Sequence, residues 1–105
     1  MATYDFTGTL WRWADERGGG ADSWHFVTVS AEVSEQIRDA LVEPARGFGS
    51  VRVAVRVGAT SWETSVFPDK RAGCYVLPMK RAVRRAEDLE PGDPVAVTLT
   101  VRDDA

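Results

Sequence analysis

Apolar and polar positions alternate along this chain with two different periods, and each change of period marks an element. From Thr3 to Trp13, Tyr4, Phe6 and Leu10 fall on one side and Asp5, Thr7 and Thr9 on the other, the two-residue period of a strand with one buried face. Asp15 to Ser23, with Gly18, Gly19 and Gly20 in succession, predicts a mobile loop. Trp24 to Val29 is a second strand. After Ser30 the period lengthens, and Val33, Ile37, Ala40 and Leu41 recur at helical spacing. Ser30 stands as N-cap, and Glu32 and Glu35 lie near the positive end of the helix dipole. Pro44 and the turn Gly47-Phe48-Gly49 end that helix.

Val51, Val53, Val55 and Val57 then face one way and Arg52, Ala54 and Arg56 the other. A four-residue turn, Gly58 to Ser61, leads to a strand from Trp62 to Phe67. That loop length pairs Val57 with Trp62, Val55 with Thr64 and Val53 with Val66, and sets Arg56 opposite Glu63. After Pro68 to Gly73 comes a short strand, Cys74 to Leu77, with Pro78 at the first position of a second helix. Met79, Ala82, Val83, Ala86 and Leu89 form that helix's buried stripe. Leu89 to Asp93 turns into a final strand, Pro94 to Arg102, with Val95, Val97, Leu99 and Val101 inward, and Asp103 to Ala105 is a frayed tail.

The order strand, strand, helix, strand occurs twice, which suggests a pseudo-duplicated chain. Six short strands with two single helices predict a mainly β fold, a small closed or nearly closed six-stranded β-barrel with an order like that of double-psi and other cradle-loop barrels. At 105 residues the chain reads as one domain, 1–105, able to bury roughly 60–70% of its unfolded surface.

Trp62-Glu-Thr-Ser-Val-Phe-Pro-Asp-Lys70 and Tyr75-Val-Leu-Pro-Met-Lys-Arg-Ala-Val-Arg84, with Leu89, Gly92-Asp93 and Trp24-His-Phe-Val27, resemble the signature of DUF1905, a bacterial family of small domains of unknown function. The resemblance extends over nearly the whole chain. It implies a compact β-barrel, of a kind sometimes fused to a domain linked by name to bacteriocin protection, and it implies no reaction. Ser30 and Met79 stand where relatives often carry proline and valine.

The formal charge is −3, from 13 Lys plus Arg against 16 Asp plus Glu. This acidic balance argues against a nucleic-acid partner, although Arg52, Arg56, Arg81 and Arg85 leave a swapped-hairpin DNA binder as a remote alternative. No apolar run is long enough to span a bilayer and no signal segment precedes Tyr4, so the expected location is cytoplasmic, without a membrane partner. One cysteine, Cys74, and one histidine, His25, supply neither a disulfide nor a structural metal site, and no cofactor motif is present. Ser65 lacks the Gly-x-Ser-x-Gly elbow of a hydrolase, so catalysis ranks last.

Charge is unevenly placed. Lys70, Arg71, Lys80, Arg81, Arg84 and Arg85 crowd between Pro68 and Glu87, where only Asp69 offsets them. Lys80 and Arg84, one helical turn apart near a helix start, can clamp a carboxylate or phosphate with Lys70 arriving from the preceding loop. The alternative is a structural network with Glu87, Asp69 or Asp93, while Arg81, Arg85 and Asp88 form a solvated face. An inward Thr64 either bonds backbone or faces a pocket, and Trp24 and Trp62 are its candidate walls. The favoured function is non-catalytic binding of a small anionic ligand or acidic peptide by Trp24, Trp62, Thr64, Lys70, Lys80 and Arg84. A second is a protein-interaction or homodimerisation module using edge strands and the outward Trp11 and Trp13.

Overall fold

The computed structural model describes residues 2–13, 24–40 and 49–102. The glycine loop, Leu41, Pro44, Phe48 and the acidic tail lie outside the described residues. The elements are β1 (Thr3–Trp13), β2 (Trp24–Thr28), α1 (Ala31–Ala40), β3 (Val51–Val57), β4 (Thr60–Asp69), β5 (Cys74–Pro78), α2 (Arg81–Ala86) and β6 (Pro94–Val101). The strands close into a barrel in the order β1-β2-β5-β4-β3-β6, every neighbouring pair antiparallel.

Two long strands make closure possible. β1 pairs with β6 through Thr3 to Thr9 and with β2 through Leu10 to Trp13. β4 pairs with β3 through Thr60 to Val66 and with β5 through Phe67 to Asp69. Gly8 sits at the changeover in β1, where a Cβ would stand 2.7 Å from Val27 Cγ1 and 2.9 Å from the Thr28 carbonyl oxygen; only glycine lets the two backbones come this close. The alternating valines of β3 and the apolar face of β6 are buried as their period requires. Each such side chain contributes about 1.5–3 kcal/mol.

Exchanging the two halves of the chain maps this pairing onto itself: β1 onto β4, β2 onto β5, α1 onto α2 and β3 onto β6. Two hydrogen bonds set the correspondence residue by residue. Val29 N–H donates to the Tyr75 carbonyl at 2.8 Å and Met79 N–H to the His25 carbonyl at 2.9 Å, so Val29 corresponds to Met79 and Tyr75 to His25. Ser34 then falls on Arg84, and Ser34 Oγ donates to the Val29 carbonyl at 3.3 Å as Arg84 Nε donates to that of Met79 at 3.0 Å. The strand registers place Phe6 on Trp62 and Gly8 on Thr64.

The β3–β4 hairpin turns in two residues rather than four. Val57 pairs with Thr60, Val55 with Trp62 and Val53 with Thr64. The shift is two positions, so every side chain keeps its expected face. Gly58, at φ 59°, holds the first central position, where a type II′ turn calls for glycine. The expected Arg56–Glu63 pair is thereby lost: Arg56 Nε donates to the Gly58 carbonyl at 3.2 Å, and Glu63 pairs with Arg102.

α1 begins as expected, with Ser30 Oγ accepting from Val33 N–H at 3.2 Å, and buries Val33, Ser34 and Ile37. α2 differs. Pro78 is the last residue of β5, paired with Phe26, and the helix runs only from Arg81 to Ala86, with Lys80 as N-cap. Met79 and Val83 are buried, whereas Ala82 and Ala86 are exposed. The helix ends in a Schellman motif: Leu89 N–H donates to the Arg84 carbonyl at 2.8 Å and Asp88 N–H to that of Arg85 at 3.3 Å, with Asp88 left-handed at φ 54°. Leu89 packs on the core.

Candidate functional site

Strand directions alternate round the barrel, so the starts of β2 and β4 and the end of β5 share one rim. α2 lies at this upper rim, and α1, after β2, at the lower one. A cleft of about 290 Å³ opens at the upper rim, lined by Trp24 and His25 from β2, Trp62, Glu63 and Thr64 from β4, Pro78 to Arg81, and Arg84.

Proline accounts for the opening. Val29 N–H donates to the Tyr75 carbonyl and Met79 N–H to the His25 carbonyl, so odd positions of β5 turn their backbone to β2 and even ones, Pro78 included, turn theirs to β4. Pro78 has no N–H to give there. The β4–β5 ladder stops at Phe67–Val76, although the same register would bring Pro78 opposite Ser65. On β4 the even positions bond to β3 across the two-residue hairpin, which leaves Ser65, Glu63 and Ser61 with their backbone N–H and C=O groups directed along the cleft side.

The floor is Met79, 1% exposed. Trp62 is a half-buried wall resting on the core, and Trp24, 60% exposed, is an outer wall stacked on Phe26 at 6.1 Å between ring centroids. The Thr64 hydroxyl faces the cleft with no hydrogen-bond partner among the described residues, so the backbone alternative does not occur. Lys80 and Arg81 are exposed and, among the described residues, unpaired. Arg84 is half-buried and gives only its Nε–H, to Met79; burial, and then the like charge of Arg81, hold its pKa below the ordinary arginine value. It remains a cation at neutral pH, since arginine starts so high. Glu63, the carboxylate in the lining, is drawn off by Arg102.

The structural network weighed against an anion clamp is not formed. Glu87 accepts from the Thr60 hydroxyl at 2.7 Å, Asp69 from Arg71 N–H at 3.1 Å and Asp93 from Glu90 N–H at 2.8 Å. Of the six residues read from the sequence, Trp24, Trp62, Thr64, Lys80 and Arg84 come together here. Lys70 does not: it sits in the β4–β5 turn on the lower rim, because β4 runs away from the cleft. Arg81, read as solvated, is exposed and also borders the cleft, as the first residue of the short α2. With only six residues, α2 also offers no long helix dipole for an anion; the side chains supply the charge.

The halves' correspondence isolates what is special to this rim. Its lower counterparts are Phe6, Tyr75, Val29 and Ser34, all buried, and Gly8, which admits no side chain. At the upper rim the same places hold Trp62, His25, Met79, Arg84 and Thr64. One end is sealed with apolar groups, and the other carries donors and cations around a gap.

Trp11 and Trp13 point out of β1 without a bulge, and closure leaves no full-length edge strand. Trp11 is half-buried, its indole N–H on the Thr28 hydroxyl at 3.0 Å and its ring 5.0 Å from Phe26. Trp13, paired with Trp24 across the strands, is 50% exposed. Cys74 is a half-buried thiol beside the Ala72 carbonyl at 3.5 Å.

Fold and cleft together define a small antiparallel β-barrel domain with one sealed and one open end. The chain belongs to the family described as a domain of unknown function, DUF1905, whose model matches residues 6–99. No curated protein matches the chain. Among the described residues, no helix is long and apolar enough to cross a membrane.

Proposed function

We propose that the protein is a binding module that holds an anionic ligand, a small carboxylate-bearing molecule or an acidic peptide segment, in the upper-rim cleft without transforming it. The observation that carries this reading is a cluster of three cations, Lys80, Arg81 and Arg84, round an aromatic-walled cleft whose one carboxylate is engaged elsewhere. Cations without counter-ions repel one another, and a bound anion relieves that repulsion. Trp24, Trp62 and Met79 add apolar contact, and the Thr64 hydroxyl adds a polar anchor.

Titration of ¹⁵N-labelled protein with succinate and with a short oligoglutamate tests this. Amide shifts should concentrate at His25, Thr64 and Lys80. Lys80→Ala should weaken binding about five- to tenfold, the worth of one charge-assisted hydrogen bond, with the melting temperature unmoved. Arg84→Ala should weaken it as much and also cost about 1 kcal/mol, because the Met79 carbonyl loses its donor. Shifts scattered over the surface, or binding indifferent to both changes, would remove the proposal.

A second reading rests on the adjacent exposed pair Trp13 and Trp24, which suits contact with a protein partner or a second copy of this chain. Sedimentation of the wild type and Trp13→Ser over a hundredfold concentration range separates these: a dimer lost in the variant supports a homodimer.

A further inference from the structure

We propose that the natural occupant of the cleft is an extended acidic polypeptide segment that adds as a strand to the free side of β4. The inference rests on the anion-binding reading above and names its ligand class. A small anion needs only the cations and the hydroxyl. It leaves unexplained why the barrel wall is interrupted along a strand whose backbone groups are spare.

Ser61, Glu63 and Ser65 present their N–H and C=O groups on the side where β5 has already ended. Among the described residues, no turn or loop bonds to those groups. From Ser61 to Ser65 the edge is about 13 Å long, enough for two or three residues of an incoming chain to exchange alternate hydrogen bonds. A strand laid there takes the line β5 would have followed beyond Pro78. It passes over Met79, between Trp62 and Trp24, and under the cations of Lys80, Arg81 and Arg84. Alternating side chains then divide the recognition: apolar ones toward Met79 and Trp62, acidic ones toward the cations. The cations and aromatic walls that would hold an acidic strand line this gap.

The test presents the wild-type protein with an array of random octapeptides. Peptides carrying Asp or Glu next to apolar residues should be selected. N-methylation of alternate backbone amides in a selected peptide should weaken it about tenfold or more, as expected for one or two lost backbone hydrogen bonds, while N-methylation of the intervening amides should have little effect. Lys80→Ala should weaken the same peptide without altering this alternation. If succinate binds with shifts at Thr64 and Lys80 but no peptide is selected, or if N-methylation is without effect at every position, strand addition is overturned and anion binding stands. If neither succinate nor any peptide binds, both fall.

Discussion

Ser34→Ala isolates one hydroxyl on which the sealed end of the barrel depends. Ser34 is fully buried in α1, and its Oγ accepts from Tyr75 N–H at 3.0 Å while donating to the Val29 carbonyl at 3.3 Å. In the β2–β5 register those two backbone groups would face each other, since Val29 N–H already bonds to the Tyr75 carbonyl. The hydroxyl therefore stands inside the ladder as a link. Its removal orphans a buried N–H, at about 1–3 kcal/mol, whereas the void left by one oxygen is smaller than a methyl group and adds little. We expect a loss of about 2 kcal/mol in urea unfolding at unchanged m-value, and a melting point lower by roughly 10 °C for a domain of this size. Native-state hydrogen exchange should show the Tyr75 amide accelerated beyond the global change. Ser34→Cys, nearly isosteric but a weak acceptor, should fall between. A loss under about 0.5 kcal/mol with Tyr75 still protected would mean that β2 and β5 close directly across the gap, and the linking role would be refuted.

Other substitutions probe the backbone devices around it. Gly8→Ala should cost about 1–3 kcal/mol by overpacking, read by urea unfolding, because its Cβ meets the Thr28 backbone oxygen as well as Val27. Asp88→Gly should raise stability by about 0.5–1 kcal/mol, read as a higher melting temperature, since glycine accepts the left-handed C′ position without strain. Arg102→Ala, which releases an exposed ion pair, should change stability by less than about 1 kcal/mol yet weaken the cleft's hold on succinate in the same titration, because Glu63 is returned to the lining.

The barrel was legible because strand period, helix period and turn residues agree along most of the chain, and β3 shows how far that reaches. Its valines and the alternation of β4 set every side chain on its correct face, but period alone cannot distinguish registers two residues apart. Gly58 decides between them: with φ near 59° it favours the tight turn, and the pairing follows. The helix stripe misled at Pro78 for a related reason. A proline fits the first turn of a helix and also the end of a strand whose neighbour needs no donor, and here the second use prevails and opens the wall.

Five of the six candidate residues converge because they lie on segments that meet at one rim, whereas only sequence proximity joins Lys70 to them. Strand direction separates it: β4 begins at the cleft and carries Lys70 the length of the barrel away. Arg81 is exposed as its spacing implies, yet it also borders the cleft, because it opens a helix that starts three residues later than expected. The sharpest guide to the site, the correspondence between the halves, leaves little trace in residue identity. Position for position, the lower rim carries Phe6, Tyr75 and Ser34 where the upper carries Trp62, His25 and Arg84. Sealing the upper rim would need only the groups that already seal the lower one. The upper rim instead keeps a half-buried guanidinium and a threonine hydroxyl in those places, and these are the groups that the proposed anionic segment would engage.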